Sequence, residues 1–287
     1  MSAARIVRTA LLAVLLAWPA AAFAGPLRIL LTNDDGIDAP GIVSLRARLV
    51  EAGYDVTVVA PAENRSGGSG AVTVRGTLAV EKRPDGSYAV SGTPSDCVYA
   101  GTGLIMKQQP PDLVISGTNF GQNAGPGLNL SGTFGAARAA SSLGYPAIAV
   151  SQAFDPDDPA RTVDYFDDAA DTVVRVLKLL TADGAALPSG MLLNINHPLR
   201  HRDAVAGWRV TRPSEAAGIR FAYAWSDDGK GVTVRLEQAA RQFAEGTDEA
   251  ALAAGAVSIS PLDPGAATDD AAAAWLKRLL PALQPAE

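Results

Sequence analysis

Apolar positions along the chain follow two alternating rhythms. Residues 27–36 read LRILLTNDDG, a largely apolar run that breaks at Asn33 into two adjacent carboxylates and a glycine. Ile42, Leu45, Leu49 and Val50 then recur at helical spacing within 41–52, and DVTVVA at 55–60 is a second short apolar run. A continuous apolar run marks a strand buried on both faces, and the 3.6-residue spacing marks an amphipathic helix. The opening therefore predicts strand, helix, strand. DLVIS at 112–116, AIAVS at 147–151 and MLLNIN at 191–196 repeat the strand pattern. Helices are predicted from Ser131 to about Leu143 and over 163–181, the second with Phe166, Ala170, Val173, Val174 and Leu177 facing inward. Repetition of this unit implies an α/β fold with a parallel sheet and helices on both faces.

Smaller elements sit between these. Strands over 72–82 and 88–91 flank a hairpin turn at Arg83-Pro84-Asp85-Gly86, and Thr93 caps a helix with Pro94 in its first position and Asp96 near its positive end. From Trp208 the pattern changes to alternation over 208–211, 220–225 and 231–237, with Asp227-Asp228-Gly229 as a hairpin turn. This predicts an antiparallel arm, whose Phe221, Tyr223 and Trp225 either stack on a base or bury in a subunit contact. A late strand at 257–261 and a closing amphipathic helix at 270–283 complete the chain.

Composition narrows the functional classes. A formal net charge of −6 with no basic block disfavours long nucleic-acid partners, while a small phosphorylated substrate stays compatible if a bound cation supplies positive charge. Cys97 is the single cysteine, so no intramolecular disulfide forms, and it reads as a buried small hydrophobe rather than a nucleophile. At the amino terminus, Arg5 and Arg8 precede the apolar stretch 10–18, Pro19 and Ala22-Phe23-Ala24. That is the pattern of a secretory signal peptide, cleaved near Ala24, with an uncleaved anchor as the weaker reading. The expected organisation is a signal peptide at 1–24 and one α/β domain at 25–287, with the arm at about 205–245 and the closing helix at about 269–283. The mature protein is expected to be exported, to the periplasm, with no stable membrane partner.

Candidate chemistry gathers at the predicted strand ends, where ligands bind in open α/β sheets. Asp34 and Asp35 repel unless a cation lies beside them, which makes them a candidate metal pair, while Asn-Asp-Asp-Gly is also ordinary turn composition. The loop at 61–70, PAENRSGGSG, offers Ser66 and the cation Arg65, lacks the Lys-Ser/Thr pair of a phosphate-binding Walker loop, and reads equally as a linker. Asn119 follows the 112–116 strand in an amide-rich loop at 117–127. Ser131-Gly132-Thr133 opens a helix and offers either an anion seat or a plain cap. His197 reads as structural, His201 as exposed, and Asp155, Asp157 and Asp158 as solvated.

Several blocks, in order across nearly the whole mature chain, resemble the SurE family of metal-dependent nucleoside monophosphate phosphatases. They are ILLTNDDGIDAPGI at 29–42, VVAPAENRSGGS at 58–69, SGTPSDCVYAG at 91–101, PDLVISGTNFGQNAG at 111–125, SGTFGAA at 131–137, and GTD at 246–248 with VSISPL at 257–262. The resemblance implies a Rossmann-like three-layer body with a mostly parallel sheet and a carboxyl-terminal antiparallel β-hairpin arm used in homodimer or homotetramer assembly. It implies one divalent cation per subunit, Mg²⁺ or Mn²⁺, held by Asp34, Asp35, Ser66 and Asn119. Asn123, Ser131, Gly132 and Thr133 would hold the substrate phosphate, and Asp34 and Asp35 would be the catalytic groups. The implied reaction is hydrolysis of nucleoside 5'- or 3'-monophosphates, or similar small phosphate esters. The alternatives are a broad-specificity acid phosphatase or exopolyphosphatase, and a non-catalytic exported nucleotide-binding protein. Two features depart from the family pattern: Ala139-Ala140 stands where Glu-Gly is usual, with a packing adjustment as the expected consequence, and familiar members are cytoplasmic.

Overall fold

The computed structural model describes residues 25–182, 186–239 and 242–284, so the signal peptide expected at 1–24 lies outside the described residues. Its strands are β1 (Arg28–Thr32), β2 (Asp55–Pro61), β3 (Val80–Lys82), β4 (Tyr88–Val90), β5 (Leu113–Phe120), β6 (Ala147–Gln152), β7 (Leu192–His197), β8 (Trp208–Val210), β9 (Ile219–Trp225), β10 (Val232–Gln238) and β11 (Val257–Leu262). Its α-helices are α1 (Pro40–Glu51), α2 (Pro94–Ala100), α3 (Gly132–Ser142), α4 (Phe166–Leu180), α5 (Asp248–Ala253) and α6 (Asp270–Leu279). Nine strands form one sheet in the order β3-β4-β2-β1-β5-β6-β7-β11-β8, and β9 pairs with β10 as a separate antiparallel hairpin. The pairings from β4 across to β7 are parallel, whereas β3 runs antiparallel to β4 and β11 antiparallel to β7. The mostly parallel α/β architecture with an antiparallel hairpin is therefore the one expected.

Alternation along the strands divides the core between the two faces. Ile29 and Leu31 of β1 pack with Ile42, Leu45 and Leu49 of α1 and with Val173 and Leu177 of α4. Leu30, one residue out of phase, packs on the other face with Cys97 and Val98 of α2 and Phe134 and Ala137 of α3. Period-two side-chain direction in a strand covered on both sides produces this split. Because α1 covers one face and α2 the other, the chain reverses direction between β1 and β5, and a crevice opens beyond their carboxyl ends.

Gly41 sets how closely α1 approaches that crevice. A Cβ there would lie 2.0 Å from the Thr118 carbonyl oxygen, a backbone atom that cannot swing aside. Gly41→Ala is expected to cost about 3 kcal/mol or more and to lower the melting temperature by about 6–12 °C. Gly127→Ala, which meets nothing within 4 Å, should melt close to wild type in the same scan.

Several local expectations need correction. Val50 is 53% exposed and points away from the core, although Ile42, Leu45 and Leu49 are buried as read. The 72–82 segment contributes only Val80–Lys82 as a strand, because Thr73 is held through its N–H and hydroxyl by Asp96 at 2.8 Å each. Asn119 lies within β5, which continues past Ser116 through a register shift, rather than in the following loop. The first part of 163–181 belongs to a 3₁₀ turn at Pro159–Tyr165, and α4 begins at Phe166. Trp208–Val210 joins the large sheet beside β11, so the projecting arm is the β9–β10 hairpin alone. The short helix α5 is an addition to the expected elements. Thr93 and Asp96 do form a reciprocal capping box on α2.

Candidate active site

Burial and hydrogen bonding turn the chain sharply after β1. Asn33 is fully buried and its Nδ2 donates to the Gly36 carbonyl at 2.7 Å, closing the Asn-Asp-Asp-Gly turn. Gly36 adopts φ +105°, a region that disfavours any side chain. This turn resolves the geometric difficulty that successive strand residues face opposite ways, and Asp34 and Asp35 both line one cavity of about 690 Å³.

Asp34 is nearly buried against the first turn of α3. Its Oδ1 accepts from the Thr133 hydroxyl at 2.5 Å, and Gly132 leaves space that a Cβ would fill 2.8 Å from the Asp34 carboxylate. Burial raises the carboxyl pKa, while the Thr133 hydroxyl and the amides of Thr133 and Gly132 favour its anion. The positive end of the helix is thus spent largely on Asp34. Asp35 accepts from the Phe120 N–H at 2.9 Å, at the end of β5. Burial, and then the charge of Asp34, push its pKa up to about 6 against the opposing influence of Phe120 and Ser66.

Loop 61–70 reaches this pair through the Arg65 N–H, which donates to the Asp34 carbonyl at 2.7 Å. Ser66 lines the cavity beside Asp35. Arg65 itself turns away, its guanidinium donating to the Ser91 carbonyl at 3.2 Å. Asn119 commits its Nδ2 to the Gly121 carbonyl at 2.6 Å, which leaves its amide oxygen as the end available to a ligand. Two carboxylates, a hydroxyl and an amide oxygen are hard donors suited to Mg²⁺ or Mn²⁺. Among the described residues no cluster of three or more His, Cys, Asp or Glu side chains could hold a metal, so a cation here needs Ser66 and Asn119 as well as the two acids. No cationic side chain acts on either carboxylate, so the charge of the pair is uncompensated by the described residues. The residues therefore fit a divalent cation.

The other named residues divide between the cavity wall and its support. Asn123 and Ser131 line the cavity. Asn123 is fixed from below: its N–H donates to Asn196 Oδ1 at 2.9 Å, its carbonyl accepts from Asn194 Nδ2 at 2.8 Å, and its Nδ2 donates to Ser151 at 3.0 Å. Ser131 caps α3, its hydroxyl oxygen accepting from the Phe134 N–H at 2.9 Å. Gly132 and Thr133 stand behind Asp34 rather than on the wall, so their first contact is the carboxylate. Ala139 lies farther along α3 and off the wall. His197 is buried between the Thr172 hydroxyl and the Arg200 carbonyl, each at 2.9 Å, in the structural role read for it.

Two acids escaped the sequence reading of roles. Asp248 is fully buried and accepts at 2.8 Å from each of the N–H groups of Gly125, Ser214 and Glu249. Glu249 lines the same cavity as Asp34 and Asp35, and its pKa is pushed up to about 7, chiefly by burial and further by the Asp248 charge. The one available signal was the GTD triplet at 246–248, whose Thr247 opens α5 as its cap.

Comparison with known proteins places these residues in a wider set. The family model described as "Survival protein SurE" matches residues 29–218. A 5'/3'-nucleotidase SurE of Edwardsiella ictaluri is 43% identical over 239 residues, covering 82% of this chain and 89% of the relative. A 5'-nucleotidase SurE of Pseudoalteromonas atlantica is 39% identical over 241 residues, covering 82% and 92% respectively. The crystal structure of the SurE protein from Aquifex aeolicus superposes with a TM-score of 0.71 at 34% identity, covering 83% of this chain and 93% of that one.

Proposed function

Since the chain belongs to the Survival protein SurE family, we propose that it hydrolyses phosphate monoesters of nucleosides, at the 5' and also the 3' position, in a divalent-metal-dependent reaction. Nucleotidase names on relatives that align with most of both chains support the general activity. What carries the finer reading is the arrival of Asp34, Asp35, Ser66, Asn119, Asn123 and Ser131, from segments far apart in the chain, on one cavity wall.

Asp34, Asp35, Ser66 and Asn119 would hold one Mg²⁺ or Mn²⁺. Bound there, such a cation would supply Lewis-acid polarisation and a lowered pKa for water. Asn123 and Ser131, on the same wall, would hold the phosphate. Gly132 and Thr133 act through Asp34, aiming its carboxylate and opposing the rise in pKa that burial causes. Asp35, oriented by the Phe120 N–H, is the acid placed to hold or move a proton. The hairpin presents Phe221, Tyr223, Trp225, Val234 and Leu236 as exposed apolar side chains, which supports assembly into a homodimer or homotetramer. Export after cleavage near Ala24 would direct the activity to external nucleotides.

Phosphate release from a panel of 5'- and 3'-nucleotides tests the proposal. Chelation should abolish release, and Mn²⁺ or Mg²⁺ should restore it. Turnover that persists undiminished in chelator would sink the metal assignment. Tight nucleotide binding with no turnover under any metal would favour the non-catalytic alternative.

A further inference from the structure

The cavity that holds Asp34 and Asp35 has a third carboxylate on its wall. Glu249 lies on its wall with Ile219 and Phe221 of β9 and Leu236 of β10. Its Oε1 accepts from the Gly218 N–H at 2.8 Å, which fastens the carboxyl to the root of the hairpin. Gly218 is built for this approach, because a Cβ there would fall 2.5 Å from Glu249 Oε2. The residue is 6% exposed, and Oε2 accepts no hydrogen bond from the described residues. Oε2 is not among the buried side-chain atoms sealed off without a partner, so it stays open on the cavity wall to a donor that arrives there. The charged side chains on the wall are Asp34, Asp35 and Glu249, with no lysine, arginine or histidine among the described residues there.

Resting on the phosphomonoesterase reading above, the geometry points to Glu249 as a specificity-determining residue. Its Oε2 accepts a hydrogen bond from a hydroxyl or amino group of the nucleoside leaving group, and its charge turns away a second anionic group beside it. Ile219, Phe221 and Leu236 offer an apolar surface to a base or sugar, and Glu249 is the polar group among them that fixes orientation. The selected substrate is then a monophosphate with an uncharged, donor-bearing leaving group. Polyphosphate chains and nucleoside di- and triphosphates bring further negative charge next to Glu249, on a wall whose side chains include no lysine, arginine or histidine.

Two variants of the full chain test this. Glu249→Gln keeps an acceptor for the Gly218 N–H and removes the charge, and Glu249→Met removes both oxygens at similar length. With Mn²⁺ present, kcat/KM is measured on adenosine 5'-monophosphate, phenyl phosphate and tripolyphosphate, and adenosine binding is followed by calorimetry. For Glu249→Met, the ratio of adenosine monophosphate to phenyl phosphate should fall about tenfold or more, and adenosine binding should weaken in parallel. Both variants should raise the ratio of tripolyphosphate to phenyl phosphate severalfold. A uniform change across all three substrates, or unaltered adenosine binding, would overturn the assignment. If the wild-type chain released phosphate from no ester, the phosphomonoesterase reading would fall instead, and calorimetry would still decide the part played by Glu249.

Discussion

Asp35→Asn should lower phosphate release by about a thousandfold or more while making the metal-free protein harder to melt at pH 8. Both effects come from the same repulsion. Burial and the neighbouring Asp34 raise the folded-state pKa of Asp35 to about 6, so its ionised form is less stable in the fold than in the open chain. The stability tied to this group is complete below about pH 4 and is lost as pH rises through about 6. Asparagine carries no charge and can still accept from the Phe120 N–H. In chelator the variant should therefore gain about 1–2 kcal/mol at pH 8, a rise of about 2–6 °C, and nothing at pH 4. Added Mn²⁺ should raise the melting temperature of the wild type and leave the variant unmoved. Activity within tenfold of wild type would remove Asp35 from the reaction.

Asp248→Ala carries the largest expected loss of stability. The carboxylate receives three N–H groups, two from Gly125 and Ser214 in segments distant in sequence and one from its own neighbour Glu249 in α5. Alanine leaves them buried and unpaired, at a cost of about 3–5 kcal/mol and about 6–20 °C in melting temperature. Gly125 follows closely on Asn123, and Ser214 leads to the hairpin root. The surviving protein should therefore show a raised KM as well as faster hydrogen exchange at the Gly125 and Ser214 amides. Asp248→Asn, which keeps one acceptor oxygen, should fall between. A melting temperature within 2 °C of wild type for the alanine variant would show that the three segments are held by other contacts.

The legible part of this protein is the part written in local patterns. The LRILL run, the spacing of Ile42, Leu45 and Leu49, and the Thr93–Asp96 box each encode an element through neighbours a few residues away. Strand ends in a parallel sheet then align Asp34, Asp35 and Asn119 with no further information. Long-range contacts were illegible. Thr133 could be read as an anion-seat residue, but only the approach of a carboxylate 99 positions away reveals that its hydroxyl serves Asp34. Glu249 carries no motif, and its importance depends on a cavity completed by β9 and β10. Val72 and Val74 have strand propensity, yet Asp96 anchors Thr73 between them and the segment does not pair. Trp208–Val210 looked like the start of the arm because nothing within a short strand names its partner, which lies 49 residues on where Trp208 meets Val257.

That last pairing governs the order in which the molecule can be assembled during synthesis. β8 leaves the ribosome well before β11, yet β11 is the strand that lies between it and β7. Until residue 262 is available, β8 has no place in the sheet and β7 remains a growing edge. The sheet from β4 to β7, with Asp34, Asp35 and Asn119 on its rim, can close on its own earlier. The segment of α5 that carries Glu249 is synthesised immediately before β11 and docks with it. A nascent chain therefore acquires the cavity wall that carries Asp34 and Asp35 first and the part that carries Glu249 last, and premature termination within α5 would release a body with an open strand edge, the kind of surface that aggregates.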